Sequence, residues 1–400
     1  MRRTCIIIAL SAATGLLLAA CAGDDDAVAW EHGAADGGVA PPTYGDAGAA
    51  ADGAAAGDPI PPEEYGKWKE NDFKDPDEEP LSTFSIDVDT ASYTIMRQSL
   101  SSGYLPQPEG VRVEEYINYF SYDYPEPTAK DGPFSISVDG APSRFGAGYH
   151  MLRVGLQGYK PPEEERKTAN LVFLVDVSGS MGSSNKLPLV KSALNYLVGQ
   201  LEPTDTLGIV TYSSTVVELL QPTKVTSKSL ITSAISKLSA SGGTAGGPGI
   251  QTAYAMAKGA FIKGGINRVI VCTDGDFNIG LKGSALISLV EAERKQGVTL
   301  SVMGFGMGNY KDTFLETLSN KGNGNYAYID SMSEAKKVFG DKLLGTLQVI
   351  AKDVKVQVEF NPKTIKKYRL VGYENRLLKP QDFVDDTKDA GEIGAGHQVP

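Results

Sequence analysis

The strongest constraint on the fold is the stretch 171–182, LVFLVDVSGSMG. Five apolar residues lead directly into Asp176, Ser178 and Ser180. An apolar run without polar alternation is typical of a strand buried on both faces, as in the middle of a parallel sheet. The polar side chains then follow the carboxyl end of that strand, where open α/β sheets bind ligands. The stretch therefore predicts a ligand site at one edge of a parallel sheet.

The side chains of this site are oxygen donors. One carboxylate and two hydroxyls suit Mg²⁺ or Mn²⁺, whereas Zn²⁺ would favour His or Cys. Alone, the same spacing also suits an Asx-turn that caps the next helix. Two further segments favour the metal interpretation: Thr244 lies in the glycine-rich segment SGGTAGGPGI, and a second apolar strand, RVIVCTD, ends at Asp274.

These three segments, in this order, resemble the von Willebrand factor type A domain with its metal-ion-dependent adhesion site. The resemblance implies that Ser178, Ser180 and Thr244 bind the ion directly or switch to contact through water. It implies that Asp176 and Asp274 act largely through water and hold the other ligands in place. An acidic side chain of a protein partner would complete the coordination.

Strand and helix patterns alternate over 169–348, the predicted extent of this domain. The strands are predicted at 171–177, 206–212, 216–220, 268–274, 299–305 and 325–329, and the helices at 188–201, 228–238, 249–261, 285–295, 311–319 and 334–347. Such alternation predicts an α/β fold with a doubly wound, mostly parallel, Rossmann-like sheet and an antiparallel edge strand at 216–220. Asp205, Asp276 and Asp312 are interpreted as capping or turn residues.

The amino terminus carries a targeting pattern. Residues 1–20 combine Arg2 and Arg3 with an apolar run that ends in Leu-Ala-Ala before Cys21. This resembles the bacterial lipoprotein signal, in which cleavage leaves the cysteine as a lipidated first residue. The implied location is the cell envelope, anchored to the membrane by lipid, and Ala22 after the cysteine favours the outer membrane.

The segment 21–80 has the composition of a flexible tether. It is rich in Ala, Gly, Asp and Pro, lacks apolar periodicity, and carries 16 acidic residues against three lysines. The rest of the mature chain is then formally neutral. Without a positive field, the chain is not expected to bind nucleic acid.

Two further segments flank the central domain. Residues 81–168 predict a small α+β domain with an aromatic patch, EEYINYFSY, and 349–400 predict a partial, β-rich C-terminal domain that ends early. Both resemble the flanking domains of bacterial lipoproteins that contain a type A domain. Asp87 and Asp89, in the segment DVDT, are interpreted as turn formers, with a second metal site as the alternative.

The functional hypotheses differ in the chemistry that they require. A hydrolase needs a base, yet the histidines are His32, His150 and His397, none beside the Asp-x-Ser-x-Ser motif. We therefore expect a metal-dependent binding module for a protein partner, not an enzyme. The alternatives are a metal-dependent hydrolase and a structural envelope protein with an inert site.

Overall fold

The computed structural model describes residues 3–10, 69–243, 248–275, 283–306, 312–342, 347–385 and 387–400. The strands and helices follow in the order β1 (Arg3–Leu10), β2 (Leu81–Ser85), α1 (Ala91–Ser101), α2 (Val113–Asn118), β3 (Phe134–Pro142), β4 (His150–Gly158), β5 (Ala169–Asp176), α3 (Leu187–Gln200), β6 (Thr206–Tyr212), β7 (Val216–Lys224), α4 (Lys228–Ser236), α5 (Gly249–Gly259), β8 (Ile266–Thr273), α6 (Gly283–Lys295), β9 (Thr299–Phe305), α7 (Asp312–Lys321), β10 (Tyr326–Ile329), α8 (Met332–Lys336), β11 (Val349–Phe360), β12 (Gly391–Gly394) and β13 (Gln398–Val399).

The central sheet has the strand order β10-β9-β8-β5-β6-β7. Its neighbouring strands are parallel except β6 and β7, which confirms the predicted doubly wound sheet with one antiparallel edge strand. Every residue of β5 is buried. Leu171 and Phe173 enter the core on one face, and Val172 and Leu174 enter the core on the other, because side chains alternate along a strand. Helices therefore cover both faces.

The last predicted helix of this domain differs from the structure. It was expected at 334–347, but α8 ends at Lys336 and a π-type turn, Lys337–Asp341, follows. This turn abuts the end of α2, where Lys337 Nζ donates to the Tyr119 carbonyl at 2.5 Å and Lys342 Nζ to the Asn118 carbonyl at 3.3 Å. The regular helix is thus interrupted where the central domain meets the preceding segment.

The two flanking segments, predicted as separate domains, form one unit. Strand β2 pairs antiparallel with β11, and β4 pairs antiparallel with β13. Phe84 and Leu156 from the first segment share a core with Val354 and Val356 from the second. No local sequence pattern could predict this strand pairing, because the whole central domain lies between the paired strands in the sequence.

The amino-terminal segments also touch this unit. Residues 3–10, within the predicted signal peptide, form β1, which runs parallel to β11. The end of the predicted tether is packed rather than free, since Asn71 Nδ2 donates to the carbonyls of Leu370 and Gly372. Cys21 lies outside the described residues. Among those that are described, no helix is long and apolar enough to cross a bilayer.

One half-buried histidine, His397, predicts a pH dependence of stability. Burial, and then the charges of Lys342 and Arg268, lower the pKa of His397 to about 3. Below about pH 6.5 the unfolded chain therefore binds a proton that the folded chain does not, and stability falls as pH falls towards 3. His397→Gln should reduce this loss, which reaches up to about 1.4 kcal/mol per pH unit. Urea unfolding at about pH 7 and about pH 4 measures the loss of stability in the wild type and in the variant. Equal losses in these two proteins would contradict a lowered pKa at His397.

Candidate metal centre

The end of β5 places Asp176 and two serines together. Asp176 is fully buried, and its Oδ1 accepts a hydrogen bond from the Ser178 amide at 2.8 Å. Its Oδ2 is buried and accepts no hydrogen bond within the described part of the chain. The hydroxyls of Ser178 and Ser180 lie 3.0 Å apart. The amide contact is the turn that the Asx alternative predicted, so the turn and the oxygen cluster coexist.

The neighbouring strand β8 contributes the second carboxylate. Because β5 and β8 are parallel and Val175 is in register with Cys272, the chain leaves both strands at the same edge, where Asp274 follows. Asp274 is 1% exposed, and no described residue donates a hydrogen bond to its Oδ1. The structure therefore gives this edge two buried carboxylates, each with one unused oxygen.

Sequence reasoning missed Lys186, which precedes α3. Its ammonium lies 2.8 Å from Asp274 Oδ2, and both side chains are largely buried. The aliphatic part of Lys186 lies over Gly306, where an added Cβ would come within 2.4 Å of Lys186 Cγ. Gly306 also has a φ of +73°, so both the backbone conformation and the close approach of Lys186 favour glycine at this position. A lone lysine before a helix carries no sequence signal that would have revealed this ion pair.

The electrostatics of the edge favour a further cation. Burial raises the pKa of Asp176 to about 6, the hydrogen bonds from Ser178 oppose that shift, and the negative charge of Asp274 adds to it. Lys186 pairs with Asp274, and no described cation pairs with Asp176, so its negative charge lies in a poorly solvated place. An ion there would remove this imbalance.

The glycine-rich loop approaches the same edge. The Ser241 amide donates to the Val177 carbonyl at 2.8 Å, and the Gly179 amide donates to the Gly242 carbonyl at 2.9 Å. Thr244, the fifth predicted ligand, lies outside the described residues, as does Asp276. The structure thus brings together four of the five predicted residues and anchors the loop that leads to the fifth.

The residues present fit a divalent cation. Asp176 Oδ2 and Asp274 Oδ1 are buried oxygens that no described residue contacts by a hydrogen bond, and the hydroxyls of Ser178 and Ser180 follow Asp176 in the same turn. Such a set of hard oxygen donors suits Mg²⁺ or Mn²⁺, with water completing the shell. The ion would supply a strong attraction for an outside anion.

The central domain and each of the two flanking segments match a known protein family. Residues 170–341 match the von Willebrand factor type A domain, 60–153 match a model described as von Willebrand factor, and 345–400 match the C-terminal region of the uncharacterized protein YfbK. Residues 170–341 are thus a von Willebrand factor type A domain, and the chain is a bacterial protein built on this domain.

The chain is 43% identical to the uncharacterized protein YfbK of Escherichia coli strain K12 over 342 residues. This match covers 84% of the chain and 60% of YfbK, so the chain spans less than two thirds of that relative. Among solved structures, a von Willebrand factor type A protein from Catenulispora acidiphila is 17% identical, with a TM-score of 0.40 over 56% of this chain and 51% of that one. Proximal thread matrix protein 1 from the mussel byssus, with a zinc-occupied MIDAS motif, is 22% identical, with a TM-score of 0.36 over 44% and 45%.

Proposed function

We propose that the type A domain binds a protein partner through Mg²⁺ or Mn²⁺ held by Asp176, Ser178, Ser180, Thr244 and Asp274. The observation that carries this proposal is the pair of buried oxygens, Asp176 Oδ2 and Asp274 Oδ1, that accept no hydrogen bond from any described residue. Buried polar atoms are normally satisfied, so two orphaned carboxylate oxygens at one sheet edge indicate a missing ligand.

The ligand set explains why the partner would offer a carboxylate. Hydroxyl ligands are neutral, and one of the two acids is already paired with Lys186. An ion held this way keeps much of its positive charge. It therefore attracts an anionic oxygen from outside, and Asp or Glu is the protein side chain that supplies one.

A binding module is favoured over a hydrolase because neither described histidine lies near the site. Of the described histidines, His150 begins β4 in the flanking unit. His397 lies close to Arg268, at the opposite end of β8 from Asp274. Six residues of strand separate these positions by about 20 Å. We infer a role in binding, with no catalytic residue assigned.

We also propose that the chain is anchored by lipid on Cys21 in the bacterial cell envelope, at the outer membrane. The support is the signal pattern of residues 1–20 with the cysteine at its end. The packed body would then be displayed from the membrane by the acidic segment.

A capture experiment tests the proposed binding. The mature chain is immobilised and exposed to envelope extract with Mg²⁺ or with EDTA, and Ser178→Ala serves as the matched variant. We expect proteins that bind the wild type with Mg²⁺ and are lost both with EDTA and in the variant. Mutation of acidic residues in a captured protein should abolish its binding. Capture of the same proteins by the wild type with Mg²⁺, by the wild type with EDTA and by Ser178→Ala would overturn the proposal.

The ion pair at Asp274 predicts a gain of metal affinity. In Lys186→Met the incoming ion no longer competes with an ammonium, so Mn²⁺ should bind roughly tenfold tighter. Isothermal titration measures the affinity. The control is Lys191→Met, because Lys191 Nζ donates to the Ser236 and Leu238 carbonyls and not to the site. Weaker binding in Lys186→Met would show that the lysine positions Asp274 for the metal instead.

A further inference from the structure

A second group of acids lies where the flanking unit meets the central domain. Asp87 follows β2, Glu115 lies on α2, and Glu316 lies on α7 of the type A domain. One carboxylate oxygen from each lies within 4.8 Å of the others, and all three side chains are buried. Residues from three distant parts of the chain therefore converge on one small volume.

The charges of this junction do not balance. Six buried acids gather there, namely Asp87, Asp89, Glu114, Glu115, Asp312 and Glu316. Within the described part of the chain, the ion pairs to these acids come from Arg112 and Arg376. With all six ionised, these acids would carry four more charges than the two guanidinium groups that pair with them. Buried charges are normally paired or coordinate a metal, so a missing cation is indicated.

Several oxygens at the junction also accept no hydrogen bond from a described residue. One of them is Asp89 Oδ2, on a side chain that is 2% exposed. Asp89 Oδ2 lies 3.8 Å from Arg376 Nη2. The same nitrogen lies 3.0 Å from Asp87 Oδ1 and 3.8 Å from Glu316 Oε1. The Asp89 oxygen therefore faces the other acids of the group.

Asn118 provides a second sign of a missing ligand. Its amide nitrogen donates to the carbonyls of Asp87 and Asp89, which fixes the side chain against both residues. Its Oδ1 is buried and has no hydrogen-bond partner among the residues that the structure describes, and the same holds for Asp87 Oδ2. A neutral amide oxygen beside carboxylates is typical of a calcium ligand set.

The dimensions admit a calcium-sized ion. Oxygens that all lie within 4.8 Å of one another can share an ion whose bonds are 2.3–2.6 Å long. A cavity of about 30 Å³ adjoins Asp87, Asp89 and Arg376, which is room for one or two waters of hydration. A larger cavity, about 260 Å³, runs past Glu316 to the exposed Leu377 and provides a route from solvent.

We propose that Asp87, Asp89, Glu115, Glu316 and Asn118 form a second site, which binds Ca²⁺ and ties the flanking unit to helix α7 of the type A domain. The site is independent of the proposed adhesion centre, because the two use different residues. Calcium binding would hold the two parts of the chain in one orientation.

The test uses the full mature chain carrying Asp176→Ala, which disables the adhesion centre and leaves the junction intact. Ca²⁺ alone is the probe, titrated calorimetrically into protein stripped with chelator, and native mass spectrometry counts the bound ions. We expect one Ca²⁺ per chain. Adding Glu316→Gln should weaken Ca²⁺ binding at least tenfold. The control is Glu109→Gln, which changes an exposed carboxylate of the flanking unit and should leave Ca²⁺ binding unchanged.

Hydrogen exchange provides a measurement that does not depend on the Glu316 variant folding. In the Asp176→Ala protein, Ca²⁺ should slow exchange at 87–90 and in the first turn of α7. Absence of Ca²⁺ binding in that protein would overturn the second site, whatever the adhesion centre does. Binding that is unaffected by Glu316→Gln, with no protection at 87–90, would overturn it too.

Discussion

Replacing Arg112 by methionine is expected to lower the free energy of unfolding by about 3–5 kcal/mol. Arg112 is 3% exposed, and its guanidinium pairs with Glu115, Asp312 and Glu316, which are exposed by 3% or less. Removing the cation leaves three buried carboxylates with reduced compensation, because among the described residues only Glu316 of the three has a second ion-pair partner, Arg376. The loss of one partner in a buried pair costs far more than the pair itself contributes.

The measurement is urea unfolding in EDTA, followed by circular dichroism. Arg153→Met is the matched control, since Arg153 pairs with Asp139 at 2.5 Å but both side chains are about half exposed. An exposed pair contributes about 0–1 kcal/mol. Equal losses in the two variants would show that the acids of the junction are neutralised without Arg112.

The second large effect concerns the adhesion centre. If the ion binds as proposed, Mg²⁺ at about a hundredfold excess over Kd stabilises the wild type by about 2.7 kcal/mol. Asp176→Ala should lose that gain while keeping the fold, because the rest of β5 is packed into two apolar cores. Thermal unfolding with Mg²⁺ and with EDTA measures the difference for each protein.

Asp139→Ala provides the control for that comparison, because Asp139 is an exposed acid on β3. It should retain the full effect of Mg²⁺. A wild type that melts identically with Mg²⁺ and with EDTA would contradict the metal centre directly. A variant that keeps the full gain would place the ion elsewhere, and the junction acids are then the first candidates.

The two groups of acids differ in how far local patterns could predict them. Asp176 and Asp274 each end an apolar strand, and parallel strands end at a common edge, so their proximity follows from the strand pattern. Lys186 reaches Asp274 only because α3 begins beside that edge. Asp312, interpreted as a cap, does begin α7, but it also pairs with Arg112 across the junction.

The sequence by itself determined the wound sheet, its antiparallel edge strand and the edge at which the oxygen ligands lie. These features depend on the periodicity of neighbouring residues, which is a local property of the chain. Tertiary structure alone decided the union of the flanking segments and the meeting of Asp87, Glu115 and Glu316. Such contacts depend on which surfaces pack together, and residues about 200 positions apart carry no spacing from which that packing could be derived.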